Sequence, residues 1–558
     1  MTRSGRIRAH MVRGRLAGGA AMISIALCAS IGTAPASATT PSAGSAATVA
    51  AGPSFRRADI PAKDGVVLKA DVLTPAAGTP GADSRGRYPV IVQPASWGQN
   101  DLEYVAQGRK LAADGYVVVT YTVRGFWLSG GRVDVGGPTD VADISSVIDW
   151  TLAHTEADPR RVGMLGLSLG AGISLLGAAF DPRIKAVAAL SAWGDLVNSL
   201  YSGQTRHLQA VALLNAVQVP TGRPDAEYAR TLADLYANRD IPEVVDWART
   251  RSPGTYADGI NAHGTAVLLS NAWGDSIFNS SQITDFYQKL TGPKRLIMRP
   301  GDHATQELTG FLGVDNATWA SAHEWFDRQL KGSGSGGAPR AQGAPVELHV
   351  RPGSGEEDYP SWQAISSRTR SLPLGRADAF GTGALDGAAD TGWRTSITGG
   401  LDSGADAGVA ELSGLLDQTF ALPPTVEVPL LPRFAAAVWQ SAPYPSLQRI
   451  RGVVRLHTTV TSSAPQGTVF AHLYDVNALG VGRLISHAPQ SWSGRAPGQA
   501  FPLDVALFAT AYDLPAGHRL ALVLDTKDPA YGGSTPLGSD VSFSSPQADR
   551  SRLVLPLR

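Results

Sequence analysis

The stretch Gly166-Leu167-Ser168-Leu169-Gly170 decides the fold of the first half of the chain. An apolar run at 162–165 precedes it and a second at 171–176 follows, which predicts a strand, a tight turn and a helix. A serine hydroxyl becomes nucleophilic when such a turn lifts it clear of its neighbours and places it beside a base. The alternative is an ordinary serine in a Gly-rich turn, but the flanking strand and helix favour a nucleophile at Ser168.

Strands and helices alternate around this turn. Short apolar runs at 90–92, 116–121 and 184–191 predict buried strands, and the periodicity of 102–113 and 140–152 predicts helices. This alternation predicts a largely parallel sheet covered on both faces. Residues 194–260 interrupt it with helical composition. We expect them to form a cap over the carboxyl ends of the strands, although a peripheral helical excursion without substrate contact is the alternative.

The first residues resemble a targeting signal rather than part of a fold. Arginines from Arg3 to Arg15, an apolar segment at 16–30 and the sequence Ala36-Ser37-Ala38 predict a secretory signal peptide at 1–38, cleaved after Ala38. The only cysteine, Cys28, lies within it, so the mature chain would carry no thiol. Cleavage leaves a net charge of about −5, which argues against nucleic-acid binding. No second long apolar segment follows, so we expect a secreted product without a membrane anchor.

The length of 558 residues requires more than one domain. Composition predicts a flexible lead-in at 39–54, an α/β catalytic domain at 55–331 with the cap at 194–260, and a Gly/Ser/Ala-rich linker at 332–344. From 345 to 558 short apolar runs alternate with Gly, Pro, Asp and Asn, which predicts an all-β sandwich.

A nucleophilic serine needs a histidine base and an acid that orients it. In α/β-hydrolases the order is Ser, Asp or Glu, then His, each in a loop after a later strand. Asp275 and His303 fit that order, whereas His263 precedes Asp275. The rival acids are Asp302, which adjoins the histidine, and Asp285, which lies in a predicted helix.

The expected chemistry is acyl transfer to Ser168 and hydrolysis of the acyl-enzyme, with a small ester or a short peptide as substrate. The backbone N–H of Leu169 is one predicted donor to the oxyanion, and the loop at 93–98 should supply the other. This chemistry requires no metal or organic cofactor, and the sequence contains no H-E-x-x-H motif or P-loop.

Several motifs together resemble the Xaa-Pro dipeptidyl-peptidase and cocaine-esterase family of serine hydrolases. The order of the motifs is specific, although no single one is decisive. They are Lys63-Asp64-Gly65-Val66, Arg124-Gly125, Gly163-Met164-Leu165-Gly166-Leu167-Ser168, Trp273-Gly274-Asp275, Gly301-Asp302-His303, Ser441-Ala442-Pro443, the stretch 471–476 and the stretch 516–520.

The resemblance implies an α/β-hydrolase domain with a helical cap, a C-terminal jelly roll, and Ser168, Asp275 and His303 as the catalytic triad. It also implies an oxyanion donor at the position of Trp97, where the family has a tyrosine. Dipeptidases of the family bind a free amino terminus through a carboxylate. The cap offers six candidates, and the sequence selects none of them: Asp225, Glu227, Asp234, Asp240, Glu243 and Asp246.

A second hypothesis is a catalytically inactive binding module, in which the C-terminal β-sandwich binds carbohydrate or a cell surface. The presence of candidates at all three triad positions favours the enzyme.

Overall fold

The computed structural model describes residues 52–331, 343–353, 355–385, 387–420 and 422–558. The predicted signal peptide, most of the lead-in and nearly all of the predicted linker lie outside these ranges. Within them, none of the helices has both the length and the apolar character needed to cross a membrane. The first ten strands are β1 (Ser54–Pro61), β2 (Val67–Thr74), β3 (Tyr88–Pro94), β4 (Val117–Tyr121), β5 (Ala157–Leu167), β6 (Ile184–Leu190), β7 (Ala266–Ala272), β8 (Lys294–Arg299), β9 (Val346–Val350) and β10 (Gly355–Tyr359).

These strands form one sheet in the order β1-β2-β4-β3-β5-β6-β7-β8-β9-β10. The strands from β4 to β9 in that order are parallel to one another, whereas β1 pairs with β2, β2 with β4, and β10 with β9 in antiparallel fashion. The strand β5, which leads into Ser168, is therefore central. The predicted parallel α/β sheet is confirmed.

Helices cover both faces of this sheet, because its strands carry apolar side chains on both sides. On one face, Val92 and Met164 pack against Ile173. On the other face, Ile91 and Leu165 pack in one cluster with Trp319 and Phe326. The helices are α1 (Val105–Ala113), α2 (Pro138–His154), α3 (Leu169–Phe180), α4 (Leu196–Leu200), α5 (Leu208–Thr221), α6 (Ala226–Ala237), α7 (Ile241–Arg249), α8 (Ala257–His263), α9 (Ser280–Lys289), α10 (Leu308–Phe311) and α11 (Ala317–Phe326).

The first two strands of the region predicted as β-sandwich, β9 and β10, extend the first sheet. The strand β9 pairs in parallel with β8, so that Leu296 lies opposite Val346, and β10 pairs with β9. The residues Val346, Leu348 and Tyr359 are buried in the same core as β5. An apolar five-residue run fits either kind of sheet, and only the tertiary contacts assign it to the first.

The remaining strands form an all-β sandwich, as predicted. The strand β11 pairs with β24 in one layer and with β12 in the other, so the two layers join there. Its strands are β11 (Arg368–Ala377), β12 (Thr382–Leu385), β13 (Arg394–Thr398), β14 (Thr425–Glu427), β15 (Ala437–Gln440), β16 (Gln448–Gly452), β17 (Arg455–Ser462), β18 (Gly467–Val476), β19 (Val481–Trp492), β20 (Ala500–Ala506), β21 (Thr510–Leu514), β22 (Arg519–Asp525), β23 (Asp540–Ser544) and β24 (Arg552–Leu557).

One helix of the second half, α12 (Leu412–Phe420), was not predicted. It lies between β13 and β14 and contacts the loops of the first sheet. Gln418 accepts a hydrogen bond from the Thr305 hydroxyl at 2.6 Å, and a Cβ on Gly414 would lie 2.4 Å from that of Asp302. The β-sandwich half therefore reaches the loop that carries His303.

Candidate active site

The turn at Ser168 has the strained backbone that the pentapeptide predicts. Ser168 has φ 53° and ψ −117°, between the end of β5 and the first residue of α3. An added Cβ on Gly166 would lie 2.1 Å from the carbonyl carbon of Gly170, and one on Gly170 would lie 2.1 Å from the Pro94 carbonyl oxygen. Real Cβ atoms do not approach so closely, so only glycine fits at either position. The turn holds the serine hydroxyl at the carboxyl edge of the sheet.

Three side chains from separate loops form one hydrogen-bonded chain. Ser168 Oγ lies 2.9 Å from Nε2 of His303, and Nδ1 of His303 lies 3.0 Å from Oδ2 of Asp275. The other oxygen of Asp275 accepts the backbone N–H groups of Ile277 and Phe278 at 3.0 and 2.7 Å. Each group therefore has the partner that general-base activation of the serine requires.

The rival residues have other partners. Oδ1 of Asp302 accepts the backbone N–H groups of Ser276 and His303, each at 2.7 Å, so this carboxylate organises the two loops rather than the imidazole ring. Asp285 is exposed on α9. Nδ1 of His263 forms a hydrogen bond with the Ala178 carbonyl oxygen at 2.9 Å.

The surroundings of His303 favour its protonated form. Burial lowers the pKa of the imidazole, but the Asp275 carboxylate outweighs burial and raises this pKa from 6.5 to about 9, with Glu411 and Asp302 adding in the same direction. Burial raises the pKa of Asp302 to about 7. The site therefore stabilises the imidazolium that forms when the histidine takes a proton.

The structure corrects the role expected for the Trp97 side chain. Its indole Nε1–H donates to the Leu214 carbonyl of the cap at 2.8 Å, so the ring has no N–H left for an oxyanion. The ring instead packs edge-on against Phe126 and Tyr228. Leu169 begins α3, where backbone N–H groups lack intrahelical partners, and its role as a donor stays a prediction.

The variant Trp97→Phe tests this correction. It removes the bond to Leu214 but keeps an aromatic ring, so we expect kcat to change by less than about tenfold, whereas losing an oxyanion donor costs about 10²- to 10³-fold. The measurement is kcat on a nitrophenyl ester beside the wild type, with thermal unfolding as a check of folding. A decrease in kcat of about 10²-fold or more in folded protein would show that the indole N–H does donate to the oxyanion.

Two cavities meet at Ser168. The first, called here the cap cavity, lies beneath the cap helices and also contains Leu169. Trp193 and Phe278 pack together at its base with ring centroids 5.3 Å apart. Further apolar side chains come from α4 to α7, so the predicted cap does lie over the serine. They include Leu200, Val211, Leu214, Leu232, Leu235 and Val244.

The second cavity, called here the His303 cavity, lies on the other side of the serine and holds two carboxylates that sequence reasoning missed. Glu103 accepts the Ser96 backbone N–H at 2.7 Å, and burial raises its pKa to about 7. Glu411 comes from the β-sandwich half, has φ 59°, and donates its backbone N–H to the Ser276 hydroxyl at 2.9 Å. No local sequence pattern connects Glu411 with a serine 243 positions earlier.

Two groups of possible metal ligands occur among the described residues, and neither lines a cavity at Ser168. Arginines pair with a member of each group at 3.1 Å or less, which supplies the positive charge that a cation would bring. That catalysis needs no cofactor stays a prediction. The groups are Glu347, His349 and Glu356, beside Arg295 and Arg299, and Asp134, Asp225 and Glu227, beside Arg251.

The central parallel sheet and the serine at the carboxyl end of β5 define a class: a serine hydrolase with an α/β-hydrolase domain. The family model described as X-Pro dipeptidyl-peptidase (S15 family) matches residues 64–305, and the one for the X-Pro dipeptidyl-peptidase C-terminal non-catalytic domain matches residues 345–545. The chain belongs to the Xaa-Pro dipeptidyl-peptidase and cocaine-esterase-like family of serine hydrolases.

Relatives are distant in sequence. A putative Xaa-Pro dipeptidyl-peptidase from Streptomyces avermitilis is 24% identical over 74% of this chain and 67% of that protein. An Xaa-Pro dipeptidyl-peptidase from Lacticaseibacillus rhamnosus is 22% identical over 88% of this chain and 68% of that protein.

Solved structures of other proteins share the fold, and two of them serve as examples. An α-amino acid ester hydrolase has a TM-score of 0.66 at 16% identity, and the match covers 94% of this chain and all of that one. A CocE/NonD family hydrolase from Staphylococcus aureus has a TM-score of 0.67 at 12% identity, over 90% of this chain and 94% of that one.

Proposed function

We propose that the protein is a secreted serine hydrolase that cleaves ester or amide bonds of small substrates through an acyl-enzyme. The observation that carries this proposal is the continuous hydrogen-bonded chain from Ser168 through His303 to Asp275. It lies where two cavities meet, so a substrate has room on both sides of the serine oxygen.

Acylation follows from these groups. The His303 imidazole takes the hydroxyl proton as Ser168 Oγ bonds to the acyl carbon, and the carbonyl electrons move onto the oxygen. Asp275 keeps the ring oriented and stabilises the imidazolium. The Leu169 N–H, at the start of α3, donates to the oxyanion. When the tetrahedral adduct collapses, the bond to the leaving group breaks and His303 gives that group its proton.

Deacylation repeats these steps with water. His303 removes a proton from water as the water oxygen bonds to the acyl carbon, and the bond to Ser168 then breaks. The proton returns from His303 to Ser168 Oγ, so the enzyme is regenerated and a carboxylic acid is released. The Xaa-Pro dipeptidyl-peptidase and ester hydrolase names of the relatives support peptides and esters as the two substrate classes.

Secretion rests on the amino-terminal sequence. The arginines before Leu16, the apolar segment that follows and the Ala36-Ser37-Ala38 site support export with cleavage after Ala38. The expected result of amino-terminal sequencing, on protein taken from the culture medium, is a chain that begins at Thr39.

A fluorophosphonate probe tests the nucleophile directly. It forms a covalent bond only with an activated serine, so we expect one adduct, mapped by peptide mass spectrometry to Ser168. Heat-unfolded protein, in which the hydrogen-bonded chain is broken, is the control and should not react. Folded protein that stays unlabelled would contradict the proposal and favour the alternative of a binding module.

A further inference from the structure

The two cavities at Ser168 differ in chemistry. None of the side chains lining the cap cavity is an Asp, Glu, Lys, Arg or His, within the described part of the chain. Its polar side-chain groups are the hydroxyls of Ser168, Tyr201, Tyr228 and Thr231 and the tryptophan N–H groups. Two of the indoles are already committed, since Trp97 donates to Leu214 and Trp193 donates to the Arg251 carbonyl at 2.8 Å.

The charged side chains of the cap lie outside this cavity, and several of them form ion pairs there. Arg251 is buried beside Trp247, 4.0 Å from its ring centroid, and bonds to Asp134 at 2.7 Å. Asp225 accepts the Tyr228 N–H at 2.6 Å as the N-cap of α6. Two other carboxylates of the cap pair with arginines of the same surface, Asp234 with Arg239 and Asp246 with Arg249. None of the six candidate cap carboxylates lines either cavity at Ser168.

The position of His303 decides which cavity receives which part of the substrate. The imidazole must protonate the leaving group, so that group lies on the side of the ring. His303 lines the cavity that contains Glu103 and Glu411, and it does not line the cap cavity. The acyl chain therefore extends the other way, past Leu169 and beneath the cap helices.

We propose that the cap cavity binds an apolar, uncharged acyl group and excludes one that carries a free α-ammonium. An ammonium in the cap cavity would lose its water shell without gaining a carboxylate, which is a large cost, whereas each methylene gains from burial against Leu232, Val211 and Phe278. The preferred substrates are esters of apolar carboxylic acids rather than peptides with an amino-terminal Xaa-Pro. This inference rests on the proposed acyl-enzyme function and specifies its substrate class.

A matched pair of esters tests this preference in the wild type. The nitrophenyl esters of hexanoic acid and of 2-aminohexanoic acid have the same chain and leaving group and differ only in the α-ammonium. We expect kcat/KM for the hexanoate to be higher by about 100-fold or more, because the charge is desolvated without a partner. We also expect the hexanoate to exceed the acetate by about tenfold or more, since four further methylenes are buried.

A Gly-Pro nitroanilide extends the comparison to peptides and should not be cleaved measurably. Equal or faster cleavage of the amino ester, or ready cleavage of the anilide, would overturn the inference. Either result would still depend on Ser168, so the acyl-enzyme proposal would stand. Absence of all hydrolysis and of fluorophosphonate labelling would instead remove the proposed function.

An added carboxylate links the preference to the cavity. In Val211→Asp the carboxylate lies at the cavity wall, so we expect the preference for hexanoate over the amino ester to narrow by about tenfold or more. Val219→Asp is the matched control, since Val219 is exposed on the same helix and outside the cavity, and its preference should equal that of the wild type. Leu232→Asp, at a half-buried lining position, replaces Val211→Asp if that variant does not fold. An unchanged preference in a folded cavity variant would contradict the assignment of the acyl group to this cavity.

Discussion

Replacing Ser168 by alanine is expected to lower kcat by roughly 10⁴-fold or more on any ester that the wild type hydrolyses. The variant loses the atom that bonds to the acyl carbon, and water must attack without an acyl-enzyme. The fold should persist, because the hydroxyl makes its one side-chain hydrogen bond to His303 and its removal leaves little space. Kinetics on the hexanoate ester, with thermal unfolding of both proteins, measure the two effects separately.

Ser174→Ala is the matched control for this prediction. Ser174 lies on α3, the helix that follows Ser168, is buried, and donates its hydroxyl to the Gly170 carbonyl at 2.7 Å. Its loss should reduce the free energy of unfolding by about 1 kcal/mol and leave kcat within a few-fold of the wild type. If Ser168→Ala retained activity comparable to Ser174→Ala, Ser168 could not be the nucleophile.

The sequence predicted the parts of the site that depend on local geometry. The turn at Ser168 requires glycine at 166 and 170, because a Cβ at either position would clash with backbone atoms only 2.1 Å away. These two glycines therefore indicate the turn in the sequence. Asp275 and His303 could be proposed because loops after parallel strands meet at one edge of the sheet, so chain order limits the candidates. The structure brings both residues into one hydrogen-bonded chain with Ser168.

The features that the sequence did not predict depend on contacts between segments far apart in the chain. Trp97 matches the position of an oxyanion donor, but its indole N–H donates to the carbonyl of Leu214 in α5. That partner lies 117 positions away in the chain. Glu411 reaches the site because a loop of the β-sandwich half bonds to Ser276. The strand β9 reads as apolar in either half, and its assignment follows from pairing with β8. In each case a tertiary partner, absent from any local pattern, decides the outcome.

Asp275→Asn should produce the second large loss, about 10⁴-fold in kcat near neutral pH. In the wild type one carboxylate oxygen accepts two backbone N–H groups and the other accepts Nδ1–H of His303. An asparagine has only one acceptor oxygen, so its NH₂ group must face either the loop N–H groups or the ring. If the oxygen stays with the loop, the ring meets a donor and takes the tautomer whose Nε2 cannot accept the serine proton.

The same substitution should change the pH dependence of the residual activity. Only the neutral imidazole accepts a proton, so wild-type kcat/KM should increase with pH through the alkaline range, because the carboxylate raises the pKa of His303 to about 9. Removing the charge of Asp275 lowers that pKa, so the acid limb of the kcat/KM profile should move to lower pH. The measurement is kcat/KM against pH, corrected for spontaneous ester hydrolysis.

Asp302→Asn provides the comparison that separates orientation of the ring from charge near it. Asp302 accepts two backbone N–H groups and makes no bond to the imidazole ring, so an asparagine oxygen can keep those contacts. Because its carboxylate also adds to the raised pKa of His303, the acid limb should move slightly in the same direction, with a loss in kcat below about tenfold. Comparable losses in both variants would mean that charge alone supports the histidine. A large loss confined to Asp302→Asn would transfer the orienting role to Asp302.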